Sequence, residues 1–289
     1  MADQDLLHRF VFEGLGVRGE LVQLGASWRA VREQHAYPEA VAVSLGEALA
    51  AVALLSGTIK FKGSLILQVR GDGPLGTLVA QASERRTLRG VARWEGEVPN
   101  GDLPAVYGAG HLVLTAEAPA GERYQGIVAL EGARLADALE AYFAQSEQLA
   151  TRLWLTADAD AAAGLLLQRL PGTAADEDDW GRVCLLAETV QAAELSQLPV
   201  RELLRRLFHE EEVRLFDPEP LAFRCSCSRE RVAAALQALG RAELQGLLEE
   251  DGEVSVDCEF CNRRYRFDAV DLEQLWAGAP NLPESATRH

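Results

Sequence analysis

The sequence predicts an α+β protein with an N-terminal β-sheet domain that carries helices, a helical linker and a small C-terminal domain. Three observations lead to this prediction. Short alternating apolar segments dominate the first 130 residues, and segments with helical spacing follow them. Four of the five cysteines lie in the last quarter of the chain. We place the boundaries at residues 1–171, 172–224 and 225–289.

The composition excludes several classes of protein. With 48% hydrophobic and 25% charged residues, the chain is typical of a soluble globular protein rather than a disordered one. Its 44 acidic and 28 basic residues give a net charge of −16, which argues against a partner with a phosphate backbone. Five cysteines in 289 residues are too few for a disulfide scaffold.

No targeting segment is visible at the N-terminus, which lacks a basic region followed by a long apolar one. The longest uncharged apolar run, residues 48–55, is too short to span a bilayer. We therefore expect a cytoplasmic protein without a membrane partner. In that compartment, clustered thiols are more often metal ligands or redox centres than structural disulfides.

Alternating or continuous apolar residues predict the strands of the first domain. These segments are residues 10–24 (one or two strands), 59–61, 64–69, 77–81, 90–94, 111–115 and 124–130. The run Gly71-Asp72-Gly73-Pro74 predicts a hairpin turn. Residues 71–76 also match the GxGxxG pattern of nucleotide-binding loops. Such a site needs a helix that begins there, whereas a strand is predicted to follow, and Pro74 has no backbone N–H to donate to a phosphate. A nucleotide site is therefore not expected.

Apolar residues at helical spacing predict three helices in the same domain. They lie after Pro38 and up to Gly57, over residues 133–147, and over residues 159–170.

The linker is acidic, with 12 acidic and 6 basic residues between 172 and 224, and it opens with the acidic run 176–179. Two helices are predicted. The first places Trp180, Val183, Cys184, Ala187 and Val190 on one face. The second starts after Pro199 and carries what we call the apolar stripe, made of Val200, Leu203, Leu204, Leu207 and Phe208. Such a stripe must pack on another surface, and we expect the N-terminal domain to provide it in the resting state.

The C-terminal domain carries Cys225-x-Cys227 and, thirty residues later, Cys258-x-x-Cys261. Alternation on both sides of the second pair predicts a small hairpin with that pair at its tip, after a helix that ends at Gly240. Four thiolates from two short turns suit a tetrahedral Zn²⁺ site, so we predict that one zinc ion is bound by these four residues. The four cysteines allow three disulfide pairings, and their spacing does not choose among them.

No other chemistry is evident in the sequence. The five histidines show no metal or catalytic spacing, and no hydrolase or nucleotide-binding motif occurs. Cys184 lies on an apolar helical face, where a buried structural cysteine is expected. We therefore predict no enzymatic activity.

The small size of the C-terminal domain suggests a switch. A module of about fifty residues usually needs a staple such as a metal. A structural zinc supplies on the order of 10–16 kcal/mol, which is also folding energy. Oxidation of the thiolates would remove that contribution, unfold the module and expose the apolar stripe, which would then bind other apolar surfaces.

Several motifs closely resemble the heat-shock protein 33 (HslO) family of redox-regulated holdase chaperones. They are residues 223–231 (FRCSCSRER), 258–261 (CEFC), 265–268 (YRFD), 71–75 (GDGPL), 124–128 (YQGIV), 142–148 (YFAQSEQ) and 207–211 (LFHEE). The resemblance covers nearly the whole chain, with no departure at the four cysteines.

The resemblance implies an ATP-independent holdase that is inactive while reduced and zinc-bound. Peroxide with heat, or hypochlorous acid, would form the disulfides Cys225–Cys227 and Cys258–Cys261, release zinc and unfold a metastable linker. The active form would be a homodimer that holds unfolding client proteins and passes them to an ATP-driven chaperone system. The apolar stripe lies in the region that the family uses for clients.

Three alternatives remain open at this point. A zinc-ribbon nucleic-acid binder is disfavoured because residues 225–276 hold 6 arginines against 11 acidic residues. A thiol–disulfide oxidoreductase is disfavoured because the CEFC pair follows a strand instead of opening a helix. A purely structural zinc domain predicts that oxidation destroys function instead of creating it.

Overall fold

The computed structural model describes residues 4–117, 123–171 and 177–277. The chain divides into two compact units, Met1–Arg224 and Cys225–His289. Helices and sheets are mixed in both units, which confirms the α+β prediction. The predicted linker start at residue 172, the first acidic residue of its opening run, and residues 278–289 of the predicted C-terminal domain lie outside the described residues.

The described residues form fourteen strands. They are β1 Leu6–Phe12, β2 Val17–Leu24, β3 Ser64–Gly71, β4 Thr77–Ser83, β5 Thr87–Arg93, β6 Gly110–Glu117, β7 Arg123–Ala129, β8 Thr151–Ala157, β9 Ala162–Arg169, β10 Val213–Leu215, β11 Glu219–Pro220, β12 Ala222–Phe223, β13 Val254–Asp257 and β14 Arg264–Phe267.

Ten α-helices accompany these strands in the described part of the chain. They are α1 Ala26–Arg32, α2 Glu39–Thr58, α3 Leu103–Tyr107, α4 Leu135–Tyr142, α5 Glu177–Ala187, α6 Ala192–Gln197, α7 Val200–Phe208, α8 Arg229–Leu239, α9 Arg241–Asp251 and α10 Ala269–Ala277. A π-helical turn, Phe143–Glu147, extends α4, so the helix predicted over residues 133–147 is confirmed.

Two six-stranded sheets build the first unit. Sheet A has the order β10-β1-β2-β9-β8, with β11 also paired to β1. Sheet B has the order β12-β5-β4-β3-β6-β7, antiparallel except for the parallel pair of β12 and β5. The turn between β3 and β4 is the predicted hairpin. A Cβ on Gly71 or Gly73 would lie within 2.5 Å of backbone atoms of residues 107–108, so glycine is required for this close approach.

Helix α2 forms the centre of the first unit, because it contacts strands of both sheets. It is the one helix of the described residues that is long and apolar enough to cross a membrane, and 78% of that window is buried inside the protein. Burial on almost all sides explains its continuous apolar character, which is that of a core helix.

Two sequence-based assignments in the N-terminal domain are wrong. Residues 159–170 are not a helix, because strand β9 occupies most of them and pairs with β2 and β8. This strand is buried on both faces, and a continuous apolar run of that kind has no alternation to distinguish it from a buried helix. Residues 59–61, predicted as a strand, lie in the loop between α2 and β3.

Helices α5, α6 and α7 pack on the face of sheet A that points away from α2. All five side chains of the apolar stripe are buried there, with at most 5% exposure. Phe208 contacts the ring of Phe12 edge-on, with 4.9 Å between ring centroids. The expected packing of the stripe on the N-terminal domain is therefore confirmed. The first linker helix ends at Ala187, so Val190 lies beyond it.

The last part of the predicted helical linker is extended, and we call residues 213–224 the return strap. Its strands β10 and β11 pair with β1, and β12 pairs with β5. Leu221 is its one fully buried side chain. Three strands of two or three residues are too short to show alternation, which is why the sequence did not predict them.

A buried carboxyl group of sheet A lies beside the C-terminal end of α2, next to Gly57. Glu20, on β2, is 2% exposed, and its Oε2 atom has no hydrogen-bond partner. Burial raises the pKa of Glu20 to about 8, although Arg18, Arg9 and Arg86 and a hydrogen bond with Thr58 act in the opposite direction.

We predict that Glu20→Gln stabilises the first unit at neutral and alkaline pH. Because the pKa of Glu20 is higher in the folded than in the unfolded state, its contribution to the free energy of unfolding is fully present below about pH 4.5. This contribution is lost as the pH rises through 8. The Gln variant does not titrate, so its free energy of unfolding at pH 8 should exceed that of wild type by on the order of 2 kcal/mol. Urea denaturation between pH 5 and 8 measures it, with the exposed Glu131→Gln as control. Parallel pH profiles of Glu20→Gln and wild type would contradict the prediction.

Candidate metal centre

The second unit has a small apolar core around a hairpin. Its buried side chains come from helices and strands that are close in sequence: Leu236, Leu244, Val254, Tyr265, Phe267 and Leu272. Arg229 covers this core at one side, with its guanidinium 4.3 Å from the centroid of Phe267 and donating to the Arg266 carbonyl. Six buried side chains are few for an independently stable domain, so further stabilisation is expected.

Four sulfur atoms converge beside this core. The Sγ atoms of Cys225, Cys227, Cys258 and Cys261 all lie within 4.8 Å of one another, and each residue is half-buried. The Cys225 and Cys258 sulfurs are 3.6 Å apart, and those of Cys227 and Cys261 are 3.4 Å apart. The structure thus brings together all four cysteines that the sequence singled out for zinc.

The second cysteine pair lies in a tight turn between β13 and β14. The amide of Cys261 donates to the Cys258 carbonyl at 3.2 Å, and the amide of Asn262 donates to the same carbonyl at 2.7 Å. Asn262 adopts a left-handed conformation with φ of 49°, which asparagine tolerates better than most residues. The predicted hairpin with this pair at its tip is confirmed.

The first pair lies in the segment between β12 and α8. Ser228 caps α8 by accepting a hydrogen bond from the Arg231 amide at 3.3 Å. Helix α8 begins at Arg229, two residues after Cys227, and ends before Gly240 as predicted. The cap therefore fixes the chain direction immediately after the CxC sequence.

Tyr265 contacts the sulfur cluster, although no motif in the sequence assigns it to a metal site. Its hydroxyl donates to the sulfur of Cys227 at 3.1 Å. Burial acts to raise the pKa of the Cys227 thiol. The hydrogen bonds from Tyr265 and the neighbouring thiols act in the opposite direction and outweigh burial, so the pKa is lowered to about 7. A donor of this kind stabilises the thiolate form, which is the form that binds metals and reacts with oxidants.

The cluster fits a tetrahedral metal site. Four thiolates at about 2.3 Å from a central zinc would lie about 3.8 Å from one another, and the observed spacing is close to this value. All four donors are sulfur, which suits a thiophilic ion. These four cysteines could therefore hold a metal ion.

The positions of the four sulfur atoms are compatible with more than one disulfide pairing. The two sulfur pairs at 3.4 and 3.6 Å each join one cysteine of the CxC sequence to one of the CxxC sequence. The pairing implied by the family resemblance instead joins neighbours in sequence. Since all four sulfurs lie within 4.8 Å of one another, each of the three pairings needs only local movement.

Cys184 has a different environment from the other four cysteines. It lies on α5 in the first unit and is 9% exposed. Burial raises the pKa of its thiol to about 12, which leaves it protonated and unreactive at neutral pH.

The arginines of the second unit are largely paired with acidic residues. Four ion pairs join Arg229 to Asp271, Arg241 to Glu273, Arg264 to Asp257 and Arg266 to Glu253. This pairing, together with the acidic composition, leaves little positive charge for a phosphate backbone.

Comparisons with known proteins agree with this architecture. Residues 5–268 match the family model described as Hsp33 protein. The 33 kDa chaperonin of Nitrosococcus oceani is 58% identical over 289 residues, with both chains covered completely. The 33 kDa chaperonin of Azotobacter vinelandii is 51% identical over 297 residues, again with complete coverage of both chains. The crystal structure of the 33 kDa chaperonin from Thermotoga maritima superposes with a TM-score of 0.84 at 24% identity, covering 95% of this chain and 98% of that one.

The fold and these relatives define a chaperone with a four-cysteine C-terminal unit. The chain belongs to the Hsp33 family.

We predict that Tyr265→Phe weakens binding of a thiophilic metal about 10-fold, because outer-shell hydrogen bonds of this kind typically contribute that much. The ring keeps its packing, and only the hydroxyl that donates to Cys227 is lost. Competition between the protein and a chromophoric chelator for Zn²⁺ measures the effect. Tyr124→Phe, in the first unit, is the matched control, and equal affinities of the two variants would count against the prediction.

Proposed function

We propose that the chain is a redox-regulated, ATP-independent holdase that binds unfolding proteins under oxidative stress. The reduced, zinc-bound form is inactive, and disulfide formation, zinc release and linker unfolding activate it. One observation carries this proposal. The four sulfur atoms lie together in a unit whose described residues, up to 277, include six buried core side chains, so chemistry at the sulfurs controls whether that unit stays folded.

In this proposal Cys225, Cys227, Cys258 and Cys261 are the ligands of one zinc ion. These four thiolates would hold the ion between them, and its binding energy would stabilise the second unit. Tyr265 orients Cys227 through its hydroxyl hydrogen bond. The fit of the sulfur spacing to a tetrahedral zinc site supports this assignment.

Oxidation converts the four ligands into two disulfides. For each disulfide, one thiolate attacks the chlorine atom of hypochlorous acid, and hydroxide leaves. The second thiolate then attacks the resulting sulfenyl chloride and displaces chloride, so each disulfide passes two electrons to one hypochlorous acid. We assign the pairs as Cys225–Cys227 and Cys258–Cys261, as the family resemblance implies. The oxidised sulfurs no longer carry the negative charge that binds a metal, and the unit loses its staple.

The linker, residues 172–224, is the segment that responds. Cys225 follows the return strap directly, and the amide of Arg224 donates to the Leu88 carbonyl at 3.0 Å. Loss of structure from residue 225 onward therefore begins next to a short, mostly exposed strap. Release of the linker uncovers the apolar stripe, and we propose Val200, Leu203, Leu204, Leu207 and Phe208 as client-binding residues.

The family resemblance supports the rest of the proposal. The protein acts in the cytoplasm, the oxidised form is a homodimer, and clients pass to an ATP-driven chaperone system. Neither nucleic acid nor a membrane is a partner, and no reaction is catalysed. The hairpin position of the CEFC pair, between β13 and β14, also disfavours an oxidoreductase, because no helix begins at Cys258 to lower the pKa of its thiol.

We expect the oxidised protein to suppress light scattering of a heat-denaturing client, and the reduced, zinc-loaded protein to leave it unchanged. Hypochlorous acid treatment, with zinc release followed by a chromophoric chelator, gives the two states. Suppression should rise in step with zinc release, because both follow from oxidation of the same four sulfurs. Equal suppression in both states would reject the redox switch, and catalytic reduction of insulin would favour the oxidoreductase.

A pair of serine variants separates the switch from general damage. Cys261→Ser should weaken zinc binding and make holding less dependent on oxidant, because one ligand is lost. Cys184→Ser, at a buried thiol of the first unit, should leave both the zinc content and the oxidant requirement unchanged. An identical change in both variants would show that the cluster has no special role.

A further inference from the structure

The return strap covers two sheet edges at once. Without it, β1 would be paired only with β2, and β5 only with β4, within the part of the chain that the structure describes. The strap therefore closes one edge of sheet A and one edge of sheet B. Uncovered strand edges present unpaired amide and carbonyl groups that readily pair with another extended chain.

Backbone hydrogen bonds hold the strap to both edges. On β1, the amide of Phe216 donates to the Arg9 carbonyl at 2.9 Å. Near the start of β5, the amide of Ala222 donates to the Arg86 carbonyl at 3.1 Å. Such bonds do not depend on side-chain identity, so an edge that accepts them accepts many sequences.

Three side chains at alternate positions of the strap also contact the rest of the first unit. Glu219 forms ion pairs with both Arg9 and Arg86, the latter at 2.6 Å. Leu221 is 5% exposed and packs into the main core of the first unit. Phe223 packs at the edge of the same core. The strap thus presents a carboxylate, a leucine and an aromatic ring at alternate positions, as one face of an extended peptide.

We propose that the edges of β1 and β5 bind an extended segment of an unfolding client, in the place that the return strap occupies in the resting protein. This inference rests on the proposed function, because the strap must leave first. The preferred segment carries a carboxylate followed at alternate positions by apolar residues, since it takes over the contacts of Glu219, Leu221 and Phe223. In the resting protein the chain's own strap blocks the surface.

The edges of β1 and β5 can be covered in the resting protein and still accept many client sequences once they are free. Main-chain pairing supplies affinity for any extended chain, and the released guanidinium groups of Arg9 and Arg86 favour acidic residues beside it. Folded proteins have few free extended segments, so the surface selects unfolding chains.

Site-specific photo-cross-linking of the full-length protein tests the proposal. We place p-benzoylphenylalanine at Val11, on β1, or at Thr87, on β5. The control position is Gln125, which is exposed on β7 at the opposite edge of sheet B. The client is a carboxymethylated, permanently unfolded α-lactalbumin. After hypochlorous acid treatment, cross-linking at Val11 and Thr87 should exceed that at Gln125 several-fold, and it should be absent in the reduced, zinc-loaded protein.

Peptide competition on the unmodified chain provides a second measurement, which does not depend on folding of the cross-linker variants. A synthetic peptide with the sequence of residues 213–224 should displace the client from the oxidised protein. The same peptide with Leu221→Asp should compete at least 10-fold less well, because a carboxylate cannot enter the apolar site of Leu221.

The outcomes separate this inference from the proposed function. Holding without cross-links at either edge above the Gln125 level overturns the inference and leaves the holdase proposal intact. Cross-links from the edges to a second copy of the chain also overturn it, since the surface would then serve self-association. Absence of holding after oxidation overturns both.

Discussion

In the proposed function, the second unit depends on four sulfur atoms for the stability that its small core does not supply. Six buried side chains surround the hairpin, whereas the first unit has two extensive apolar clusters around its sheets. A metal held by four thiolates would add on the order of 10–16 kcal/mol, more than the net stability of many domains. Because thiolates are also the side chains that oxidants attack first, the proposed metal ligands and the proposed oxidant sensor are the same atoms.

In the same proposal, the linker is the segment that responds to loss of the metal. Its apolar stripe is buried on sheet A together with Val183, Ala187 and Leu195, and ion pairs such as that of Arg206 with Glu194 lie at its surface. Surface pairs of this kind contribute little to stability. The return strap is held by short strands and one buried leucine. In the proposal, a segment with one strong apolar face and a weak attachment at its end is released as a piece together with β10, β11 and β12. Helix α2 and strands β1 to β9 stay in place.

The parts predicted from sequence were those with local patterns. Helix α7 follows from the spacing of its stripe, and the sulfur cluster follows from CxC and CxxC. Strand β9 was mistaken for a helix because both its faces are buried, which removes the alternation. The strap was missed because its partners β1 and β5 lie more than 100 residues away, and no pattern within two or three residues reports such pairing. The role of Tyr265 depends on the hairpin register that places its hydroxyl beside Cys227.

Amide hydrogen exchange of α7 tests most directly whether oxidation at the cysteines releases the linker. Reduced, zinc-loaded protein should protect the amides of residues 200–208 and of the second unit, and hypochlorous acid treatment should remove protection from both. The amides of α2 should keep their protection in both states, because its core does not depend on the cysteines. Unchanged protection of α7 in oxidised protein that holds a client would contradict the coupling of the sulfur cluster to the linker.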